Sequence, residues 1–160
     1  MDALTILYYG HETVQKAVAR INPEDWEHGG VCGVWTAKDV MGHLGVYELL
    51  LVDVLYQLLD ENADTPYLSL MMAQGPPAFN DAQAALRKDW PVDRVLDEYH
   101  QSHEKAMTLA RQIPPDLWPK PGTLPWYGTE YSLDDLVVYN NYAHKREHCA
   151  QLDVQSDHLS

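Results

Sequence analysis

Apolar residues recur along this chain in alternating steps of three and four, the spacing that lines one face of an α-helix. Over residues ~3–21 the stripe is Leu4, Leu7, His11, Val14, Val18 and Ile21, and Asn22-Pro23 ends it. After a turn-rich connector with Gly29, Gly30 and Gly33, Thr36 and Asp39 form a capping-box pair. The helix they open, ~37–60, carries Val40, His43, Leu44, Tyr47, Leu51, Val54 and Leu58, and its last turns are apolar nearly all round. Residues 62–79 hold Pro66, Gly75, Pro76 and Pro77 and are expected to form a long crossover, after which Asn80 caps a helix of about ten residues. A third long helix is expected at ~91–113, with Val92, Val95, Tyr99, His103, Ala106, Ala110 and Ile113 inward, stopped by Pro114-Pro115. A loop rich in Pro, Gly and Trp spans ~114–131, and Ser132 with Asp135 opens a helix to ~154. No strand pattern stands out. The expected fold is all-α, a four-helix bundle over residues 1–154 with a long crossover between helices 2 and 3, and a frayed tail at 155–160.

Composition narrows the function more than the fold. A chain of 160 residues fits one domain. Its net charge of −13, from 24 acidic against 11 basic residues, argues against nucleic-acid partners and anionic membrane surfaces. The acids read as solvated helix faces. No uncharged apolar run of ~18 residues stands out, so no spanning helix is expected. The N-terminal stretch lacks signal-peptide features, and the two cysteines, Cys32 and Cys149, read as reduced thiols, so a cytoplasmic location is expected.

The fourth helix changes character halfway along. Its inner stripe runs Leu133, Leu136, Val137, Asn140, His144, His148 and Gln151, and burying so many polar groups is costly unless something satisfies them. His144 and His148, four apart, project from one face at a spacing suited to a shared metal ion, with a third ligand drawn from another segment. His43 lies on the inner stripe of the second helix and is the natural donor. With eight histidines in the chain, such a pair arises readily by chance, so inward placement matters more than spacing. His11 and His103 also interrupt apolar stripes and are rival ligands, supporting groups or bases. His28, His100 and His158 fall in loops or on polar faces.

The segment containing Trp35, Thr36, Asp39, His43 and Leu44 resembles the Trp-Ser/Thr-x-x-Asp-x-x-x-His-Leu motif of DinB-like (DinB/YfiT-like) proteins. The stretch YNNYAHKREHCAQL is similar to that family's closing His-x-x-x-His element, matched by His144 and His148. The phrases SHEKAMTLARQIPPDLW and VCGVW resemble the DfsB/ClbS branch. The resemblance spans ~20–154. It implies a four-helix bundle, a divalent metal held by His43, His144 and His148 at its open end, and a homodimer. Known relatives include transferases and isomerases that activate a low-molecular-weight thiol on the metal, and a self-resistance protein that disarms a cyclopropane-bearing genotoxin.

Three neutral imidazoles would leave a coordination position open to water or substrate. Imidazole ligation suits several metals, with zinc or nickel foremost. Tyr47 and His103, on inward stripes, are the acid/base candidates. Trp118, Trp126, Tyr127 and Tyr131 cluster in the second loop, where Trp126 and Tyr127 are candidates to bind substrate, or else the aromatics anchor the loop. Glu48 and Glu147 neighbour the ligands only in sequence, which turns them to other faces. Cys149 reads as a small buried hydrophobe. The leading expectation is a metal-dependent enzyme acting on a small molecule by thiol transfer or hydrolysis of an electrophile. A small-molecule sequestration protein without turnover and a structural dimer with a vestigial site are the alternatives.

Overall fold

A computed structural model describes residues 2–160. Four long helical stretches make the bundle: α1 (Ala3–Ala19), α2 (Ala37–Leu59), α5 (Val92–Ala110) and a C-terminal helix. That last helix comprises α6 (Leu133–Leu136), a π-helical segment (Val137–Ala143) and α7 (His144–Leu159). No strand is present among the described residues. α2 packs along α5, and α1 along α7 and the π segment.

Both expected capping boxes form. Thr36 Oγ1 accepts from the Asp39 N–H at 3.1 Å while the Thr36 N–H donates to Asp39 Oδ2 at 2.9 Å. Ser132 and Asp135 repeat the exchange at 3.2 and 2.8 Å. These bonds satisfy two of the N–H groups that every helix start leaves without partners.

The crossover departs from its expected form. It holds two helices, α3 (Pro66–Gln74) and α4 (Pro76–Arg87), separated by Gly75 at φ 78°. A proline opens each one, where the missing N–H costs nothing. Asn80 lies inside α4 and caps nothing. The start of α3 is held by a distant residue: buried Asp53 of α2 accepts from the N–H groups of Tyr67 (2.7 Å) and Leu68 (3.0 Å). In α4, Arg87 donates to both oxygens of Glu98 on α5, at 2.6 and 3.1 Å, pinning the crossover to the bundle.

The C-terminal helix also runs further than its pattern suggests, to Leu159 in place of ~154. Arg20, at the end of α1, bridges Asp153 at 2.8 Å and Asp157, tying down the stretch expected to fray. Length and hydropathy alone would let α2 cross a bilayer, against the sequence expectation. Most of its apolar window is buried inside the bundle, as in a core helix.

The core is divided by a polar layer. One apolar cluster contains Leu7, Leu51, Leu55, Leu109, Leu133 and Val137, and another contains Val14, Val40, Leu44, Val95, Tyr99, Cys149 and Leu152. On each of the four long helices, a polar residue stands where one cluster gives way to the other: His11, Glu48, His103 and Lys145.

Candidate metal centre

His43 comes from the second turn of α2, and His144 and His148 from the first two turns of α7. His43 Nε2 lies 2.9 Å from His144 Nε2, which lies 3.0 Å from His148 Nε2. The three ligand atoms all fall within 4.8 Å of one another. Imidazoles bound tetrahedrally at ~2.0–2.1 Å would hold their nitrogens about 3.3 Å apart, so the two short edges open by a few tenths of an ångström while the third, within 4.8 Å, adjusts to the same spacing.

The rings are prepared to present lone pairs. Burial, reinforced by mutual repulsion with the neighbouring imidazoles, depresses His43 to about 3. Burial and His148 depress His144 to about 4. Both are therefore neutral near pH 7, the form that binds metal. His148 Nδ1 sits 2.8 Å from Gln151 Oε1, which accepts its proton and turns Nε2 toward the centre. The carbonyl of Asn140, one turn before His144, raises that ring's basicity slightly, yet its geometry falls short of a full hydrogen bond to the buried Nδ1.

Aromatic rings close around the cluster. Trp35, beside the cap of α2, is centred 5.0 Å from the His43 ring. Tyr47 is centred 4.8 Å from His43 and 4.5 Å from His144, and its hydroxyl reaches Asn80 Oδ1 at 3.4 Å. Burial pushes the Tyr47 phenol above its ordinary pKa, so it is a proton donor near neutrality. Tyr47 also walls an adjoining pocket of about 310 Å³, lined further by Leu50, Leu51, Val54, Leu68, Met71, Met72, Pro76, Trp126, Tyr127, Leu136, Asn140 and Asn141. The structure thus places Trp126 and Tyr127 beside Tyr47, while Trp118 lies at a separate surface cavity near Asp2 and Arg111.

His103 does not join this group. Its Nδ1 is 3.3 Å from Glu48 Oε2, and its ring stacks on His11 at 3.9 Å. His11 in turn bonds the Tyr99 hydroxyl at 3.0 Å. Both rivals of the metal triad therefore belong to the polar layer, and His103, expected as an acid/base candidate or supporting group, lies there and not among the three clustered imidazoles. The physical reason is α5's position: it packs on α2 across the face carrying Glu48, not the face carrying His43.

The match to a family model decides the relationship: the model of the DinB superfamily matches residues 6–152. The chain belongs to the DinB superfamily. Comparison with curated proteins and with solved structures gives no match. For this DinB chain the donor set suits a divalent ion: three imidazoles, two held neutral by burial and one oriented by Gln151, with no carboxylate or thiolate in the cluster.

Some residues that shape the site carried a signal the stripe reading passed over. Lys145, Cys149 and Leu152 form a second buried stripe on α7, one position round from His144 and His148. Glu48 follows Leu44 by four positions and precedes Leu51 by three, all buried. It faces away from the triad, as adjacency implied, but it is completely buried beside Lys145. The π segment had no sequence signal.

Proposed function

We propose that the protein is a metal-dependent enzyme that acts on a small molecule at His43, His144 and His148, within the DfsB/ClbS branch. The reaction is thiol transfer to, or hydrolytic opening of, an electrophile. The convergence of three Nε2 atoms beside a pocket carries this reading. His43, His144 and His148 would hold a divalent ion, zinc or nickel, which when bound would lower the pKa of a water or low-molecular-weight thiol toward ~7.

The protein's own residues do the rest. Gln151 fixes the His148 tautomer. Trp35 and Tyr47 shield the imidazoles from bulk water, and low local polarity strengthens interactions there. Tyr47, protonated and placed between triad and pocket, is the group positioned to donate a proton to a leaving atom. Trp126 and Tyr127 form the outer wall that substrate contacts.

Elemental analysis of freshly purified protein tests this reading. Stoichiometric zinc or nickel is expected in the wild type and its loss in His43→Ala, with wild-type helicity retained. Consumption of a bacterial thiol in the presence of a generic electrophile then separates turnover from sequestration. Absence of stoichiometric metal, together with an unchanged His43→Ala variant, refutes the proposal. Homodimerisation belongs to the same reading and is checked by sedimentation.

A further inference from the structure

The pocket beside Tyr47 differs from the rest of the molecule in its chemistry. The chain carries 24 acidic and 11 basic residues, yet no Asp, Glu, Lys, Arg or His lines this cavity. Its walls are leucine, valine, methionine, proline and aromatic side chains drawn from α2, α3, the start of α4, the end of α6 and the 124–128 turn. An anion entering it would leave water without meeting a cation, and a cation would meet no carboxylate; either desolvation is costly. A neutral apolar molecule meets no such penalty.

One end of the pocket is polar. Asn141 is only 3 % exposed and lines the cavity, and its side-chain amide is not among the fully enclosed polar atoms that lack a partner, so it keeps an opening to solvent. An amide open to a cavity hydrogen-bonds whatever fills it, water or a polar group of a bound molecule. Asn140, half-buried, stands next to it on the same wall. Both asparagines lie in the π segment Val137–Ala143, and π turns of this kind often mark functional sites.

We propose that this pocket binds an uncharged, largely apolar molecule through an amide or carbonyl group held by Asn141, with Trp126 against its apolar body. The inference rests on the reading above only for where the bound molecule would react, since none of the three histidines lines the pocket.

Four matched probes test it by calorimetric titration of chelator-treated protein: N-phenylbutanamide, 4-phenylbutanoate, 4-phenylbutylammonium and butylbenzene. The amide is expected to bind at least tenfold more tightly than either ion. Asn141→Leu should weaken the amide about tenfold, the scale of one lost buried hydrogen bond, and leave butylbenzene unchanged or tighter. Trp126→Ala, at a position 40 % exposed and outside the apolar core, should weaken amide and hydrocarbon alike. Equal or tighter binding of either ion overturns the proposal. So does equal weakening of amide and hydrocarbon by Asn141→Leu, or no binding of the amide at its solubility limit. Should Asn141→Leu fail to fold, binding of the amide unaffected by Trp126→Ala overturns it. Because the protein is metal-free, binding here with no metal in the native protein would sink only the metal reading, and the reverse pattern only this one.

Discussion

Replacing Glu48 by Gln tests the polar layer directly. Glu48 is completely buried; its carboxylate pairs with Lys145, itself 2 % exposed, and is 3.3 Å from His103 Nδ1. Burial by itself would raise the pKa of Glu48, but the Lys145 ammonium and the His103 hydrogen bond outweigh it and hold the group at about 2. The displacement from 4.5 to about 2 corresponds to roughly 3 kcal/mol. Independently, removing one partner of a buried pair costs ~3–5 kcal/mol, since the other charge is stranded. The two routes agree, and for a domain of this size they place the loss in melting temperature at roughly 10 °C. Glu48→Gln and Lys145→Met should each show this loss by circular dichroism. The double variant Glu48→Gln/Lys145→Met should recover much of it, because two uncharged side chains strand no charge. The pH dependence has a definite sign. A depressed carboxylate contributes stability that is present above its unfolded value, 4.5, and lost as pH falls toward about 2. Glu48→Gln should flatten the stability profile in that window. A melting temperature within ~2 °C of wild type in Glu48→Gln, or a double variant as unstable as the summed singles, would refute the reasoning.

Three further expectations concern the histidines. Gln151→Ala removes the acceptor that orients His148, so metal affinity measured by chelator competition should fall about 10–100-fold while the helix content stays; unchanged affinity would remove Gln151 from the site. Deleting Tyr139, which is 55 % exposed in the π segment, should convert that segment to α-helix and leave His144 and His148 facing as before relative to Leu133 and Leu136, because its seven π-helical residues together rotate about one residue's worth less than α-helical ones. Metal binding is then retained, whereas deleting an exposed residue of ordinary α-helix turns the downstream face by about 100°; lost binding in the Tyr139 deletion, with helicity preserved, contradicts the register argument. In metal-free protein, burial holds His11 and His144 at about 4 and His43 at about 3, against 6.5 when unfolded. Their contribution is complete above pH 6.5 and drains away as pH falls toward those values, so the urea midpoint should drop between pH 7 and 5. A flat midpoint over that range contradicts it.

The local part of this protein is written in its periodicities. Helix starts were legible at Thr36 and Ser132 because a capping box is a contact between residues three apart and needs no distant partner. The inward direction of His43, His144 and His148 followed from helical spacing, and the family motif selected these three from five inward histidines. What lay beyond reach depended on which helix faces which. His103 and His43 both occupy inward stripes, but only the packing of α5 on α2 sends one to Glu48 and the other to the triad. Asp53 caps α3 across 14 residues of chain, and Arg20 extends the C-terminal helix from the far end of α1, so neither boundary had a local signal. The π segment shifts the register of the last helix by a backbone choice that tertiary packing makes. Asn141, polar and unremarked on an ordinary helical pattern, becomes a buried amide facing an uncharged cavity only once α2, α3 and the Trp126 turn close around it. Spacing along one helix is a property of the chain, whereas a pocket is a property of several elements at once, and its chemistry exists only in their assembly.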